Sequence, residues 1–306
     1  MARIAILGAT SHLAKDLIAR LAPEPAVDAA LFARRPEEMM RWATAAGFGG
    51  RFPAFGYGAF GGEAYDAILN FVGAGDPARV TQMGASIVEV TLRFDRLALD
   101  YLQRHPACRY LFLSSGAVYG GSFERPVDAT APCSLAIDGL SPQDHYAAAK
   151  LEAERRHRSS TGFPIIDIRV FNYFSRTQDL SARFFISDIL RAIRERRALQ
   201  TTDQPMVRDF LHPRDFRALI GCLLASPPVN AAVDCYTLAP VDKATLLATM
   251  QRKFGLDYIV TDRPATLDPS GAKPNYYSLN RKAAEFGYQS AYSSIECIVE
   301  EAAAII

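Results

Sequence analysis

What the sequence lacks narrows it first. No charge sign dominates: 34 Lys and Arg stand against 33 Asp and Glu, for a formal net charge of +1. No basic run stands out beyond Arg191 to Arg197, which reads as the solvated face of a helix, so nucleic acid is disfavoured as a partner. The five cysteines, Cys108, Cys133, Cys222, Cys235 and Cys297, include no Cys-x-x-Cys pair. An odd, scattered set suits neither a disulfide framework nor a zinc site, and reads as small core residues in a reducing compartment. His12, His105 and His157 have no partners at metal-ligand spacing and read as surface or packing residues, so no metal is expected. Long apolar runs are missing too, and Leu219 to Ala225 falls far short of the roughly 20 residues that span a bilayer. With no room for a secretory leader before the first apolar strand, a cytoplasmic protein without a membrane partner is expected. Low-complexity tracts, internal repeats and Gly/Ser-rich linkers are absent.

What is present alternates. Arg3 to Ala9 is a continuous apolar run ending in glycine, a helical pattern follows, and Ala29 to Ala33 is a second apolar run: strand, helix, strand, as in a parallel βαβ unit. Further strands are expected at Ala67–Val72, Arg109–Ser115 and Ile165–Phe171, with helices at Pro77–Arg104 and Pro142–Ser159. Their unbroken hydrophobicity means cover on both faces. The fold class is α/β, a Rossmann-type doubly wound parallel sheet. After Phe171 the pattern becomes mostly helical, with helices expected at 182–197, 213–225, 243–254 and 281–286. We expect a dinucleotide-binding domain over 1–171, with a return segment at about 207–237, and a smaller substrate-binding part over 172–206 and 238–306.

At the first strand-to-helix turn, "GATSHLA" (Gly8 to Ala14), unpaired amides of the helix N-terminus can receive a pyrophosphate. Where the second strand ends, an acid would hydrogen-bond the ribose diol of NAD. This chain has Ala33, then Arg34 and Arg35, whose guanidiniums suit a 2′-phosphate. NADP(H) is therefore favoured as cofactor, with NAD(H) possible. In "HYAAAK" helical spacing puts Tyr146 and Lys150 on one face, one turn apart. "LFLSSGAVYG" (Leu111 to Gly120) ends a strand in hydroxyls at the carboxyl edge of the sheet.

Together these segments closely resemble the extended short-chain dehydrogenase/reductase family, also called the NAD-dependent epimerase/dehydratase family, in its sugar-nucleotide-modifying branch. The resemblance implies that Ser115, Tyr146 and Lys150 are catalytic. The ammonium and an oxidised nicotinamide would lower the phenol's pKa from about 10, Ser115 would hold the substrate oxygen, and Lys150 would also hold the nicotinamide ribose. In the family's Gly-x-x-Gly-x-x-Gly pattern only Gly8 survives, with Ser11 and Ala14 at the other positions. Gly8, Thr10, Ser11, His12, Leu13, Arg34, Arg35, Phe71, Val72, Gly73 and Lys150 are the implied cofactor-binding set. The family's dehydratases carry Asp-Glu directly after the Ser/Thr. Gly116 and Ala117 stand there instead and resemble 4-epimerases and 4-keto reductases.

"RVFNYFS", "VRDFLHPRDF" and "TDRPATLD" resemble the segments that meet the diphosphate of a nucleotide sugar. They imply Asn172, Arg208 and Arg263, with Ser115, as substrate-binding residues and His212 and Asp215 as structural ones. Tyr276 and Tyr277 read as packing residues. His145 could line the sugar pocket. The expected activity is NADP(H)-dependent reduction of a 4-keto-6-deoxy nucleotide sugar. The alternatives are a 4-epimerase with tightly bound dinucleotide and, in another class, a dinucleotide-sensing binding protein without catalysis. A nucleotide-diphosphate sugar is the expected partner, and the resemblance implies a homodimer. Sugar identity would rest on the loops at 121–142 and 178–182.

Overall fold

Short β-rich apolar runs alternating with helices can bury both faces of each strand only in a covered parallel sheet. The computed structural model describes residues 3–262 and 273–306, apart from Ile137 and Gly139. Its main sheet contains β1 (Arg3–Leu7), β2 (Asp28–Phe32), β3 (Ala54–Phe55), β4 (Ala67–Asn70), β5 (Arg109–Ser115), β6 (Ile165–Val170) and a seventh strand, Ala231–Asp234. The order is seventh-β6-β5-β4-β1-β2-β3, with every pairing parallel. Chain progression reverses between β1 and β4, which opens a crevice at their carboxyl ends.

Flanking helices α1 (His12–Leu21), α2 (Pro36–Ala45), α3 (Pro77–Met83), α4 (Ser86–Arg104) and α5 (Pro142–Ser159) follow the strands. α6 (Phe185–Arg194), α7 (Pro213–Ala225), α8 (Lys243–Phe254) and α9 (Ser294–Ala302) complete the chain. One core layer packs α1 and α7 on the sheet through Leu17, Ile18, Leu219 and Leu223. A second packs α4 and α5 on the other face through Tyr101, Leu102, Phe112 and Ala153. A third core, built from Ile189, Leu190, Leu246, Met250 and Ile298, joins α6, α8 and α9. No helix among the described residues is long and apolar enough to cross a membrane.

The structure departs from the sequence reading in several places. The helix expected over 77–104 is broken at Gly84, whose φ of 50° ends α3. The helix expected over 182–197 is only α6, because Phe184 is extended and Arg196 takes a positive φ. The segment expected to be helical at 281–286 is a 3₁₀ turn over Lys282–Phe286. Neither the two-residue β3 nor α9 was foreseen, although α9 begins with a legible capping box in which Ser293 and Glu296 satisfy each other's backbone amides.

Besides its alanines, α5 buries charge: Lys150, Glu154 and His157 are all buried. His157, expected at the surface or in packing, is wholly enclosed between two carboxylates. Its Nε2 lies 2.6 Å from Asp95 Oδ1 and its Nδ1 2.6 Å from Asp167 Oδ1. Carboxylates only accept, so both ring nitrogens donate and the ring is an imidazolium. Burial alone would lower its pKa, but Asp167 and Asp95 more than reverse that and raise it to about 9. An ordinary histidine titrates near 6.5, so this group's stabilisation is complete below pH 6.5 and is lost as pH rises through 9, about 3 kcal/mol in all. Lys150, lowered to about 8 by burial, acts with the opposite sign above that pH. Denaturation free energies should therefore fall by about 1 kcal/mol per pH unit between pH 6.5 and 8, relative to His157→Gln. Parallel curves for the two proteins would mean that the ring is neutral.

Candidate functional site

At the end of β1 the chain turns over Gly8, at φ +73°. A Cβ there would lie 2.7 Å from the Phe71 carbonyl carbon and the Val72 nitrogen, so only glycine lets the turn press against the end of β4. Ser11 caps α1 by accepting from the Ala14 amide at 3.3 Å. Ala14 is fully buried, so its methyl group is accommodated in the packing where the family pattern has glycine. The amides of His12 and Leu13, in the first turn, have no intrahelical acceptor. A tight glycine turn leading to open helix N-terminal amides fits a pyrophosphate. The side chain of His12 faces elsewhere, with Nε2 2.7 Å from Ser175 Oγ and 3.3 Å from Asp16.

The two arginines after β2 differ. Both are exposed, but Arg35 pairs with Glu38 at 2.7 Å, whereas Arg34 has no ion pair among the described residues and its charge acts on the phenol of Tyr57. Tyr57 was not singled out in the sequence. It stands at the mouth of the crevice, accepting a hydrogen bond from the Gly8 amide at 3.1 Å and packing on Phe94 with centroids 4.4 Å apart.

Deeper in the crevice, β5 and α5 bring Ser115, Tyr146 and Lys150 together. Ser115 Oγ accepts from the Ala117 amide at 3.2 Å, capping a 3₁₀ turn over Gly116–Tyr119. It also lies 3.4 Å from the Tyr276 hydroxyl, a contact in which either oxygen can donate, and it favours ionisation of the nearby Tyr146 phenol. Lys150 Nζ donates to the Leu113 carbonyl at 2.7 Å and lies 4.4 Å from the centroid of Phe112 and 5.8 Å from that of Tyr146. A Cβ on Gly73 would be 3.5 Å from the same ammonium.

The electrostatics correct one expectation. The lysine was expected to pull the phenol of Tyr146 down, yet burial holds that phenol above its usual 10, against the hydrogen bond from Ser115. The ammonium is drawn to the β5 backbone and the Phe112 ring instead. Burial depresses it to about 8, against the opposing pull of Asp95, Glu154 and Asp167. In the protein alone, Tyr146 is a proton donor at neutral pH.

Tyr276, expected only to pack, is a second residue that sequence reasoning missed. Its strand, Asn275–Tyr276, pairs with Val207–Arg208 and so delivers its hydroxyl to Ser115. Asn172 donates to the Tyr276 carbonyl at 3.4 Å, and Arg208, buried, lies 6.0 Å from the Tyr276 ring. Lys273 Nζ is 5.0 Å from that ring and 5.3 Å from Phe123. Arg263 lies outside the described residues. His212 caps α7, its Nδ1 accepting from the Arg214 amide at 3.0 Å, and Asp215 accepts from the amides of Ala291 and Tyr292.

A doubly wound sheet with a glycine turn and a Ser-Tyr-Lys set at its carboxyl edge defines an enzyme of the extended short-chain dehydrogenase/reductase class. The chain belongs to the NAD dependent epimerase/dehydratase family, which its sequence matches over residues 4–236. Among solved structures it is similar to the UDP-glucose 4-epimerase of Brucella ovis in complex with NAD (17% identity, TM-score 0.78, covering 99% of this chain and 98% of that one). A UDP-N-acetylglucosamine 4-epimerase from Methanobrevibacter ruminantium M1 is similar at 13% identity and a TM-score of 0.79, covering 99% and 97%. The dTDP-glucose 4,6-dehydratase of Bacillus anthracis str. Ames, in complex with NAD, is similar at 13% identity and a TM-score of 0.77, covering 99% and 96%. No curated protein matches the sequence significantly.

The buried ammonium gives a direct measurement. With carbon-13-labelled lysine, one Cε resonance should titrate near pH 8, and Lys150→Met should remove it. Titration of every lysine near 10.4, the value of an exposed ammonium, would contradict the packing described for Lys150.

Proposed function

We propose that this protein is an NADP(H)-dependent oxidoreductase that delivers a hydride to a carbonyl carbon of a nucleotide-diphosphate sugar, with a 4-keto-6-deoxy sugar as substrate. The observation that carries the reading is the convergence of Ser115, Tyr146 and the buried Lys150 ammonium, which donates to the Leu113 carbonyl and lies 5.8 Å from the Tyr146 ring. A bound dinucleotide supplies the hydride. Ser115, its own oxygen already accepting from Ala117, donates to the substrate carbonyl and polarises it. Tyr146 gives its proton to the developing alkoxide, and the hydrogen-bonding of Ser115 favours the phenolate left behind. Two N–H donors of Lys150 beyond the one on Leu113 would be available to hold the ribose of a bound dinucleotide.

Arg34 supports NADP(H) because β2 ends without an acid and, among the described residues, this guanidinium has no ion pair whereas Arg35 pairs with Glu38. Asn172 and Arg208 would meet the diphosphate, and Arg263 joins them by resemblance. In this reading residues 1–171 and 207–237 carry the dinucleotide, and 172–206 with 238–306 receive the sugar. Association of two copies belongs to the same proposal, again by resemblance.

A second reading, a 4-epimerase with retained dinucleotide, is favoured by the similar structures named as 4-epimerases. Dehydration fits less well. A Cβ on Gly116 would meet the Phe171 ring at 2.4 Å, so the acid of a dehydratase pair has no room there.

Purified protein given a 4-keto nucleotide sugar and NADPH should show steady loss of absorbance at the nicotinamide band. Isomerisation without NADPH consumption would replace the reductase with the epimerase. Dinucleotide binding without turnover of either kind would leave only the sensing protein. Tyr146→Phe should lower kcat by about 10²–10⁴-fold. Tyr276→Phe should cost about three- to tenfold in kcat/KM, as for one neutral hydrogen bond, with dinucleotide affinity retained.

A further inference from the structure

A second layer of polar residues lies behind the site and runs without a break from the interior of α5 to the crevice. His157 bonds Asp167 on β6 and Asp95 on α4, each at 2.6 Å. Asp95 Oδ1 also accepts from Tyr110 OH at 3.1 Å. Tyr110 in turn accepts from Asn70 Nδ2 at 2.9 Å, and Asn70 Oδ1 accepts from the amide of Val72 at 3.0 Å. All of the side chains in this series are buried, with relative exposures of 0–1%. Arg158 closes the far end on Asp167.

The direction of every bond is fixed from both ends, by the imidazolium and by the Val72 amide, which can only donate. A ring that donates at both nitrogens keeps Asp95 and Asp167 ionised. An ionised Asp95 can only accept, so Tyr110 must donate to it and must accept from Asn70. The amide of Asn70 is then fixed with its oxygen toward Val72. Were the ring neutral, one nitrogen lone pair would face a carboxylate oxygen, and the hold of His157 on Asp95 or on Asp167 would be lost.

We propose that His157, Asp95 and Tyr110 are positioning residues for the dinucleotide: their hydrogen-bonded series fixes the Val72 amide and the Val72–Gly73 backbone that forms the crevice floor beside Lys150. The proposal rests on the dinucleotide reading given above, and none of these three residues touches the ligand. Phe112 ties the two layers together mechanically, packing edge-on against His157 at 5.1 Å while Lys150 sits over its ring at 4.4 Å.

Tyr110→Phe removes one oxygen in mid-series and leaves both charged groups in place. NADPH fluorescence should show its Kd raised about five- to twentyfold, and steady-state rates should show the same rise in KM for NADPH with kcat within twofold. A role in stability alone would move the melting temperature without splitting KM from kcat. Should the variant not fold, wild-type protein labelled with nitrogen-15 histidine serves. One ring should show both nitrogens protonated at pH 8, and saturating NADPH should shift its resonances. An unchanged Kd in Tyr110→Phe, or a neutral ring, or resonances indifferent to NADPH, overturns the proposal while leaving the dinucleotide reading intact. Failure of wild-type protein to bind either NADPH or NADH overturns both.

Discussion

The burial of one ammonium organises the crevice. Lys150 is placed in the interior of a sheet-helix layer, where an uncompensated charge is expensive, and its one described hydrogen bond is to a backbone carbonyl of β5. The carboxylates of Asp95, Glu154 and Asp167 make that burial tolerable, because each favours the charged form. They must in turn be balanced, and they are. His157 and Arg158 take up Asp167, His157 and Tyr110 take up Asp95, and Arg169 takes up Glu154 at 2.5 Å. The interior behind the site therefore holds a balanced set of charges within its apolar layer. Such a set stabilises little net, since desolvation offsets most of the attraction. What it provides is fixed direction for the side chains that meet in the crevice.

The same balance explains the state of Tyr146. A cation in solution beside a phenol would lower its pKa, but here the cation is held against a carbonyl and an aromatic face, and desolvation of the phenol prevails. Proximity along a helix does not decide an electrostatic coupling. The direction in which the charged end points, and what else competes for it, decide it.

Much of this was legible in the sequence because it is local or periodic. Tyr146 and Lys150 share a helix face by spacing, Gly8 marks a turn, and apolar runs mark buried strands. The sheet and the Ser-Tyr-Lys set followed from those signals, together with the family resemblance of the segments in order. What was hidden depends on pairing between distant segments. Tyr276 reaches Ser115 only because its strand docks beside Val207–Arg208. His157 reads as a helix-surface residue until Asp95 and Asp167, 62 and 10 residues away, close on it. Tyr57 meets Gly8 across 49 residues. No pattern within one element carries such contacts. The break at Gly84 and the start of α9 were legible in principle, from a glycine within a helical run and from a capping box.

Packing also limits which reaction the proposed site can perform. Elimination of water needs a base at carbon and an acid at the departing hydroxyl, two groups besides the one that manages the carbonyl oxygen. The Phe171 ring fills the space where a side chain at position 116 would stand, and Ala117, next in line, has no titratable group. Tyr276 supplies another hydroxyl, but burial raises its pKa far above neutrality, so it can donate a hydrogen bond and cannot act as a base. Under the proposed reading, what remains is a site that moves one proton at one oxygen. Hydride transfer to a carbonyl needs that proton delivered from Tyr146, whereas its reverse needs the proton taken up by a phenol whose pKa burial raises. The charge state of Tyr146, as well as the sequence of hydride steps, therefore separates reduction from epimerisation.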